Sequence, residues 1–483
     1  MDKNMKNEIL IGWGEADITP DGKVIELAGQ YYQRVAKGIH SRIKAVAMLL
    51  EQDSKHSLMI SLDLVGVPED FCKNIQKAIA EKLPKIPADK IIINAIHTHS
   101  APGLDSFRNW WKPAPGAITY GEYREFLKDK ILAAVEKAWN SRQVSGIGNA
   151  VSFARIGHCR RAVYSNQVAE MYGKTNREDF TGMEGGEDSG IDLLFCFDKN
   201  GTPTGAVVNI ACPSQIMEST YMVSSDFMGR LREMLKERFG NNFQTLCQIA
   251  PAGCQSPRDL TRPDTSPFWR EAGVEIIAER LLNSIDAVYE NISKNIKYDL
   301  LLEHSSEIIE LPRRRASYED YLHAKKKMEE LENIQDSKSA YEDFCTETHS
   351  NEKVTDRPGP YDSKLHHFVR IRNEEAVINR FKDQTEKPDF KMQLHVVRLG
   401  EIAFATNPFE LYLDFGHRIR ARSKAKQTFM IQLCNGVGGY LPSKRAEKLG
   451  GYGGLIINGQ VGSDGGTLLV DKTVEKINDL FRR

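Results

Sequence analysis

The 483 residues hold 65 lysines and arginines against 66 aspartates and glutamates, a formal net charge of −1. With 41% hydrophobic and 27% charged residues, this is the composition of a soluble globular protein, and its balance offers no field that would gather nucleic acid or an anionic membrane. No apolar run approaches the roughly 20 residues that span a bilayer, and Met1 to Glu8 lacks the apolar core of a secretion signal, so integral membrane association is excluded and the expected compartment is the cytoplasm, or the periplasm if a signal has been removed.

The first hundred residues read as mixed α/β. Lys44 to Leu50 and Ser57 to Val65 have strand patterning and are predicted to pair. Glu69 to Leu83 is predicted as an amphipathic helix, with Phe71, Ile75, Ala78 and Ile79 at helical spacing. A strand is expected over 91–97. It ends in His97-Thr98-His99-Ser100-Ala101-Pro102-Gly103, and strand alternation would place both imidazoles on one face beside a loop. Imidazole is both a metal ligand and a proton carrier. Taken alone, the pair fits two satisfied histidines at a loop mouth equally well. Glu122 to Trp139 is a second predicted helix.

Next comes Gly157-His158-Cys159-Arg160-Arg161, where arginine offers a fork of donors suited to oxyanions, or simply a surface pair. Ile191 to Phe197 and Thr204 to Ala211 form a predicted hairpin turning at Lys199-Asn200-Gly201. Asn209-Ile210-Ala211-Cys212-Pro213-Ser214-Gln215 follows, in which Cys212 is a thiolate ligand, a nucleophile or a buried thiol. The eight cysteines contain no Cys-x-x-Cys, which excludes a zinc ribbon and argues against a disulfide scaffold. A helix is predicted from Asp226 to Phe239, a strand over Thr245 to Ile249, and a helix over Phe268 to Val288.

Residues 312–389 are dense in charge and poor in aliphatics, and read as a helical outer layer or insertion. Strand patterning returns over Lys391 to Ala405, with a turn at Leu399-Gly400-Glu401, and over Thr428 to Leu433. Asn407-Pro408-Phe409-Glu410 has the pattern of a helix capping box, although Glu410 at such a junction also suits a cation. Glycines flank Tyr440 and Tyr452, which lets backbone approach closely and leaves the rings unobstructed. A helix is expected from about Asp471 to Phe481. The fold class expected is α/β, a large mixed β-sheet core flanked by helices, in one domain over 1–483.

Together these segments resemble the neutral ceramidase family. The resemblance runs from Gly14-Glu15-Ala16-Asp17-Ile18-Thr19-Pro20 onward, is most specific at His97 to Gly103, and is supported by Ser225 to Gly229, Gly253-x-Gln255-Ser256-Pro257 and Asn435 to Tyr440. It implies a ceramidase-like catalytic domain holding one zinc, with His97, Glu410 and Tyr440 as ligands. His99, Arg160 and Tyr452 correspond to the residues that handle the substrate amide. Where the family has a second zinc-binding histidine this chain has Cys212, and thiolate ligates zinc with similar reach. The family's additional immunoglobulin-like domain is not expected here.

The function implied is a hydrolase in which metal-activated water attacks an amide or ester of a small-molecule substrate other than a membrane ceramide. Two alternatives use the same residues. One is a metal-independent glycosidase or lyase acting on a glycan, with Glu410 as acid or base and Trp110 and Trp111, which follow Phe107, as a stacking platform. The other is a non-catalytic binding protein. The oligomeric state is not set by sequence.

Overall fold

The computed structural model describes residues 7–30, 33–105, 113–262, 270–350 and 366–482, with main chain alone at 348–350. The aromatic run at Phe107, Trp110 and Trp111 lies outside the described residues.

Two β-sheets pack face to face, each covered by helices on its outer side. The larger has eight strands, in the order Gln244–Ile249, Pro203–Ile210, Gly190–Asp198, Gln143–Phe153, Ile9–Asp17, Lys44–Gln52, Lys55–Leu62, Ile91–Ala95. Neighbours are antiparallel except at the two edges, where the outermost strand runs parallel to its neighbour. The smaller sheet orders Leu302–Pro312, Asp389–Leu399, Ile402–Thr406 and Gln427–Ile431.

Burial on both faces explains the near-continuous apolar runs. On strand Lys44–Gln52, Ala45, Ala47 and Leu49 face the helices, whereas Val46, Met48 and Leu50 face the second sheet. Strand Ile91–Ala95 divides the same way: Ile91, Ile93 and Ala95 join the core under the helices Glu69–Lys82 and Tyr120–Asn140, while Ile92 belongs to the core between the sheets that also holds Phe404 and Phe429. Thr119 and Glu122 close a capping box on the second of these helices, a device worth about 1 kcal/mol. The helices Asp226–Phe239 and Glu271–Lys294 cover the other half of the large sheet. The helices Leu413–Arg422 and Ser463–Leu480 cover the small one. Within the charged region three helices, Tyr318–Ile334, Ser337–Ser350 and His367–Asp383, share a small core of their own around Leu331, Phe344 and Phe368.

Three local expectations are corrected. Strand Ile91–Ala95 ends before the histidines, and His97 takes a positive φ of 63°, so alternation does not align the two rings. Asn407 to Glu410 is not a helix start. Phe409–Leu411 is a short strand pairing in parallel with Gly439–Leu441, and the next helix begins at Leu413. Asn407 Oδ1 accepts from the Phe409 amide and turns the chain into that strand. The last helix starts eight residues earlier than expected, at Ser463. It passes through Gly465 and Gly466, and Phe415 and Leu441 press on Gly466 so closely that a Cβ there would sit 2.5 Å from each.

Candidate functional site

The loop after strand Ile91–Ala95 is tied into the segment from 214 to 226. Thr98 Oγ1 donates to the Ser224 carbonyl at 2.8 Å, Ser100 Oγ to the Met217 carbonyl at 2.9 Å, and buried Arg34 to the carbonyl of His99. Asp226 braces that segment in turn by accepting the Met217 amide at 2.8 Å, and burial pushes its carboxyl up to about 7.

These anchors bring the two imidazoles together with ring centroids 4.8 Å apart and their Nε2 atoms 3.3 Å apart. Hydrogen-bond chemistry fixes their tautomers. His97 Nδ1 lies 2.6 Å from the Val65 carbonyl, which only accepts, so the proton is on Nδ1 and Nε2 presents its lone pair. Arg160, which only donates, engages Gln215 Oε1 at 3.3 Å. The Gln215 amide nitrogen therefore faces His99 Nε2 and donates to it at 2.8 Å. That leaves the proton of His99 on Nδ1, 3.6 Å from the carboxylate of Glu218.

Glu410 and Tyr440 arrive as directly paired residues of adjacent short strands. Glu410 Oε2 lies 3.6 Å from His97 Nε2. Gly253 admits this strand, since a Cβ at 253 would strike the Glu410 carbonyl. Arg160 is not a surface residue. It is buried, and its guanidinium donates to the Gly253 carbonyl at 3.0 Å and the Tyr440 hydroxyl at 3.2 Å, and stands 3.6 Å from Glu410. Burial would lower its pKa, but Tyr440, Tyr172 and Glu410 outweigh burial and hold it charged. Burial pushes the Tyr440 phenol well up, with Arg160 pulling the other way. Tyr452 meets Tyr440 edge-on at 5.4 Å, on a loop whose carbonyls at Gly450 and Tyr452 accept from Arg161.

His97, His99, Glu410, Tyr440 and Tyr452 all line one cavity of about 140 Å³, with Val65, Pro68, Leu104, Pro408 and Val437 supplying much of its apolar wall. Arg160 does not line it; the guanidinium reaches Glu410 and Tyr440 from the layer beneath. Cys212 is not brought to the cavity. Its thiol is wholly buried, lies 3.3 Å from the Ile156 carbonyl, and is pushed well above the ordinary thiol range by burial. Sequence reasoning passed over Gln215 and Glu218. Gln215 stood in a segment already singled out, three residues beyond Cys212, whereas Glu218 carried no signal.

The donor chemistry fits a cation of the zinc class at His97, Glu410 and Tyr440: a fixed imidazole lone pair, a carboxylate and a phenol converge at the cavity wall, and three protein ligands with an open side is the usual catalytic arrangement. Among the described residues, no group of three or more His, Cys, Asp and Glu side chains is placed to hold a metal ion. A metal here therefore depends on the Tyr440 phenol.

Residues 9–177 match the family model for the neutral/alkaline non-lysosomal ceramidase N-terminal region. The match spans 169 of the 483 residues, and it is this N-terminal part of the chain that resembles the family. The fold of the chain is shared with a ceramidase complexed with C2, at 17% identity and a TM-score of 0.69, covering 99% of this chain and 76% of that one. It is shared equally with the neutral ceramidase from Pseudomonas aeruginosa, at 17% identity and a TM-score of 0.68, covering 98% of this chain and 75% of that one. No helix among the described residues is long and apolar enough to cross a membrane.

Proposed function

We propose that the cavity hydrolyses an amide or ester of a small molecule, with zinc held by His97, Glu410 and Tyr440. The observation that carries this reading is the meeting of His97 Nε2 with the Glu410 carboxylate at 3.6 Å on the wall of one cavity, next to His99. Zinc, when bound, lowers the pKa of a water towards about 7 and polarises a carbonyl. His99 would carry a proton from the attacking water to the leaving group, its Nε2 first parting from the Gln215 amide, and Glu218 beside Nδ1 favours the imidazolium that forms in between. Tyr452, on the cavity wall, donates to the developing oxyanion. Arg160 acts through Glu410 and Tyr440, holding both in place and keeping positive charge beneath them. The apolar wall excludes water around the reacting carbonyl.

Metal content tests the assignment. Wild-type protein purified with zinc present is expected to hold about one ion per chain, and His97→Ala to hold none and to lose hydrolysis of simple N-acyl anilides. Equal metal in both proteins would discard His97 as a ligand.

A second reading drops the metal, leaving Glu410 as acid or base in a glycan-directed reaction. One observation favours it: the Arg160 guanidinium already supplies a cation to both Glu410 and Tyr440. Activity that persists undiminished after exhaustive chelation would select it.

A further inference from the structure

Pro312-Arg313-Arg314-Arg315 is a basic run that the cavity does not use. It leaves the end of strand Leu302–Pro312 and packs on the loop from 454 to 461. The Arg314 amide donates to the Gln460 carbonyl at 3.0 Å, and Arg313 forms a β-bridge with Val461. Helix His367–Asp383 packs on the same loop at Ile456–Asn458 and contributes Arg380.

Three half-buried guanidinia are thereby anchored on one short loop. Arg314 Nη1 donates to the Gly454 carbonyl at 2.7 Å, Arg380 Nη2 to the Gly459 carbonyl at 3.1 Å, and Arg313 Nη1 to Gln460 Oε1 at 2.8 Å. Arg380 Nη1 also donates to the Arg314 carbonyl at 2.9 Å, and Arg313 Nε to the main-chain carbonyl of Asp389 at 3.2 Å. All of these acceptors are neutral. Glu447 lies 3.5 Å from Arg314 Nε, but its carboxylate already accepts from the Ser463 amide and hydroxyl. Among the described residues no carboxylate pairs with Arg313 or Arg380.

Elsewhere this chain gives a buried arginine its own acid: Arg161 pairs with Glu184 and Arg232 with Asp63. A guanidinium drawn partly out of water without an anion is costly, and like charges gathered on one loop add repulsion. Burial, Arg313 and Arg314 bring the Arg380 pKa down to about 10, with no acid among the described residues acting the other way. Donors also remain unspent. A guanidinium carries five N–H groups, and the oxygens named above take two at Arg380 and two at Arg313. Rigid forks with spare donors and surplus positive charge suit a tetrahedral dianion, which accepts paired bonds from more than one guanidinium. A carboxylate offers a single edge and a single charge.

We propose that this arginine cluster binds a dianionic phosphoryl group, free or as a monoester, between helix His367–Asp383 and the loop from 454 to 461. The site goes beyond the hydrolase reading and does not depend on it. Tyr452 stands two residues before Gly454, so the bound dianion also offsets the repulsion that works against the anchors of the loop bearing this tyrosine.

Calorimetry on the full chain at constant ionic strength tests the site, using inorganic phosphate, glycerol 3-phosphate and acetate. Phosphate or the monoester should saturate a single site per chain, and acetate should give no binding. Comparable affinity for both phosphates identifies the free group as sufficient. A monoester tighter by about tenfold or more identifies an ester, and either result supports the proposal. In an Arg313→Gln, Arg380→Gln double variant affinity should fall about tenfold or more. Lys294→Gln, Lys472→Gln removes the same charge from exposed ion pairs elsewhere and should bind as wild type does. Hydrogen exchange on the wild type locates the site without any substitution: saturating phosphate should slow exchange at 313–316 and 454–461. No binding of either phosphate, acetate bound as tightly, affinity kept in the arginine variant, or protection confined to other segments overturns the proposal.

Discussion

Arg160 meets two backbone-anchored segments and both short strands of the site with one buried guanidinium, and in doing so sets the orientation of Gln215 and the tautomer of His99. Its neighbourhood in sequence marked it for chemistry, but nothing in five residues of a Gly-His-Cys-Arg-Arg stretch reveals that the first arginine is buried among tyrosines. Cys212 shows the opposite error. A cysteine where a family ligand is expected invites a thiolate, yet the thiol points at the Ile156 carbonyl, with burial holding it protonated. Replacing Cys212 with alanine is therefore expected to leave metal per chain equal to wild type and to cost stability on the order of 1 kcal/mol, for one buried sulfur. In the native wild type the same thiol should resist alkylation by iodoacetamide. Metal analysis and mass spectrometry check both, and loss of metal on Cys212→Ala would restore the ligand assignment.

At the scale of elements, the strands and helices that pack on both faces were legible because their periodicity is long and unbroken. Elements that exist only through a distant partner were not. Strand Phe409–Leu411 is three residues long and needs Gly439–Leu441 to exist, so locally it looks like a helix cap. The link between the charged helices and the site did not show in the sequence either. Arg380 on helix His367–Asp383 donates to the carbonyls of Arg314 and Gly459, and Arg314 donates to the Gly454 carbonyl at 2.7 Å. These bonds steady the loop that carries Tyr452. Burial and the neighbouring Arg313 and Arg314 bring the Arg380 pKa down to about 10, so it remains charged at neutral pH. Arg380→Ala should lower kcat about tenfold while leaving metal content unchanged, the mark of a loosened loop. A full-rate variant would show that the charged helices do not position Tyr452.

For the whole molecule, the sheet-on-sheet core contains a buried polar thread. Asn435 Oδ1 accepts from the Ile93 amide, its Nδ2 donates to His395 Nε2, and His395 Nδ1 donates to His304 Nε2 at 3.0 Å. Burial brings His395 down to about 3 and His304 well below its ordinary value. The unfolded chain binds these protons below about pH 6.5 and the folded chain refuses them until near pH 3, so stability falls as pH drops through that window. His395 alone should remove on the order of 2 kcal/mol between pH 7 and pH 5. Asp226, raised by burial, works in the opposite direction, so the measurement is the difference between wild type and a His304→Gln, His395→Gln variant in urea unfolding at both pH values. Between pH 7 and pH 5 the variant should lose less stability than the wild type, by about 2 kcal/mol or more. An unchanged slope would mean that water reaches the pair.

The sequence by itself determined the α/β class, the order of the long strands and helices, and the identity of His97, His99, Glu410, Tyr440 and Tyr452 as candidates, because periodicity and motif are local properties of the chain. Tertiary structure alone decided that these five share one cavity, that Arg160 lies beneath it, that Cys212 faces elsewhere and that Gln215 and Glu218 engage His99. Burial, tautomer and proximity are set by what packs against a side chain, and those neighbours come from segments up to several hundred residues away.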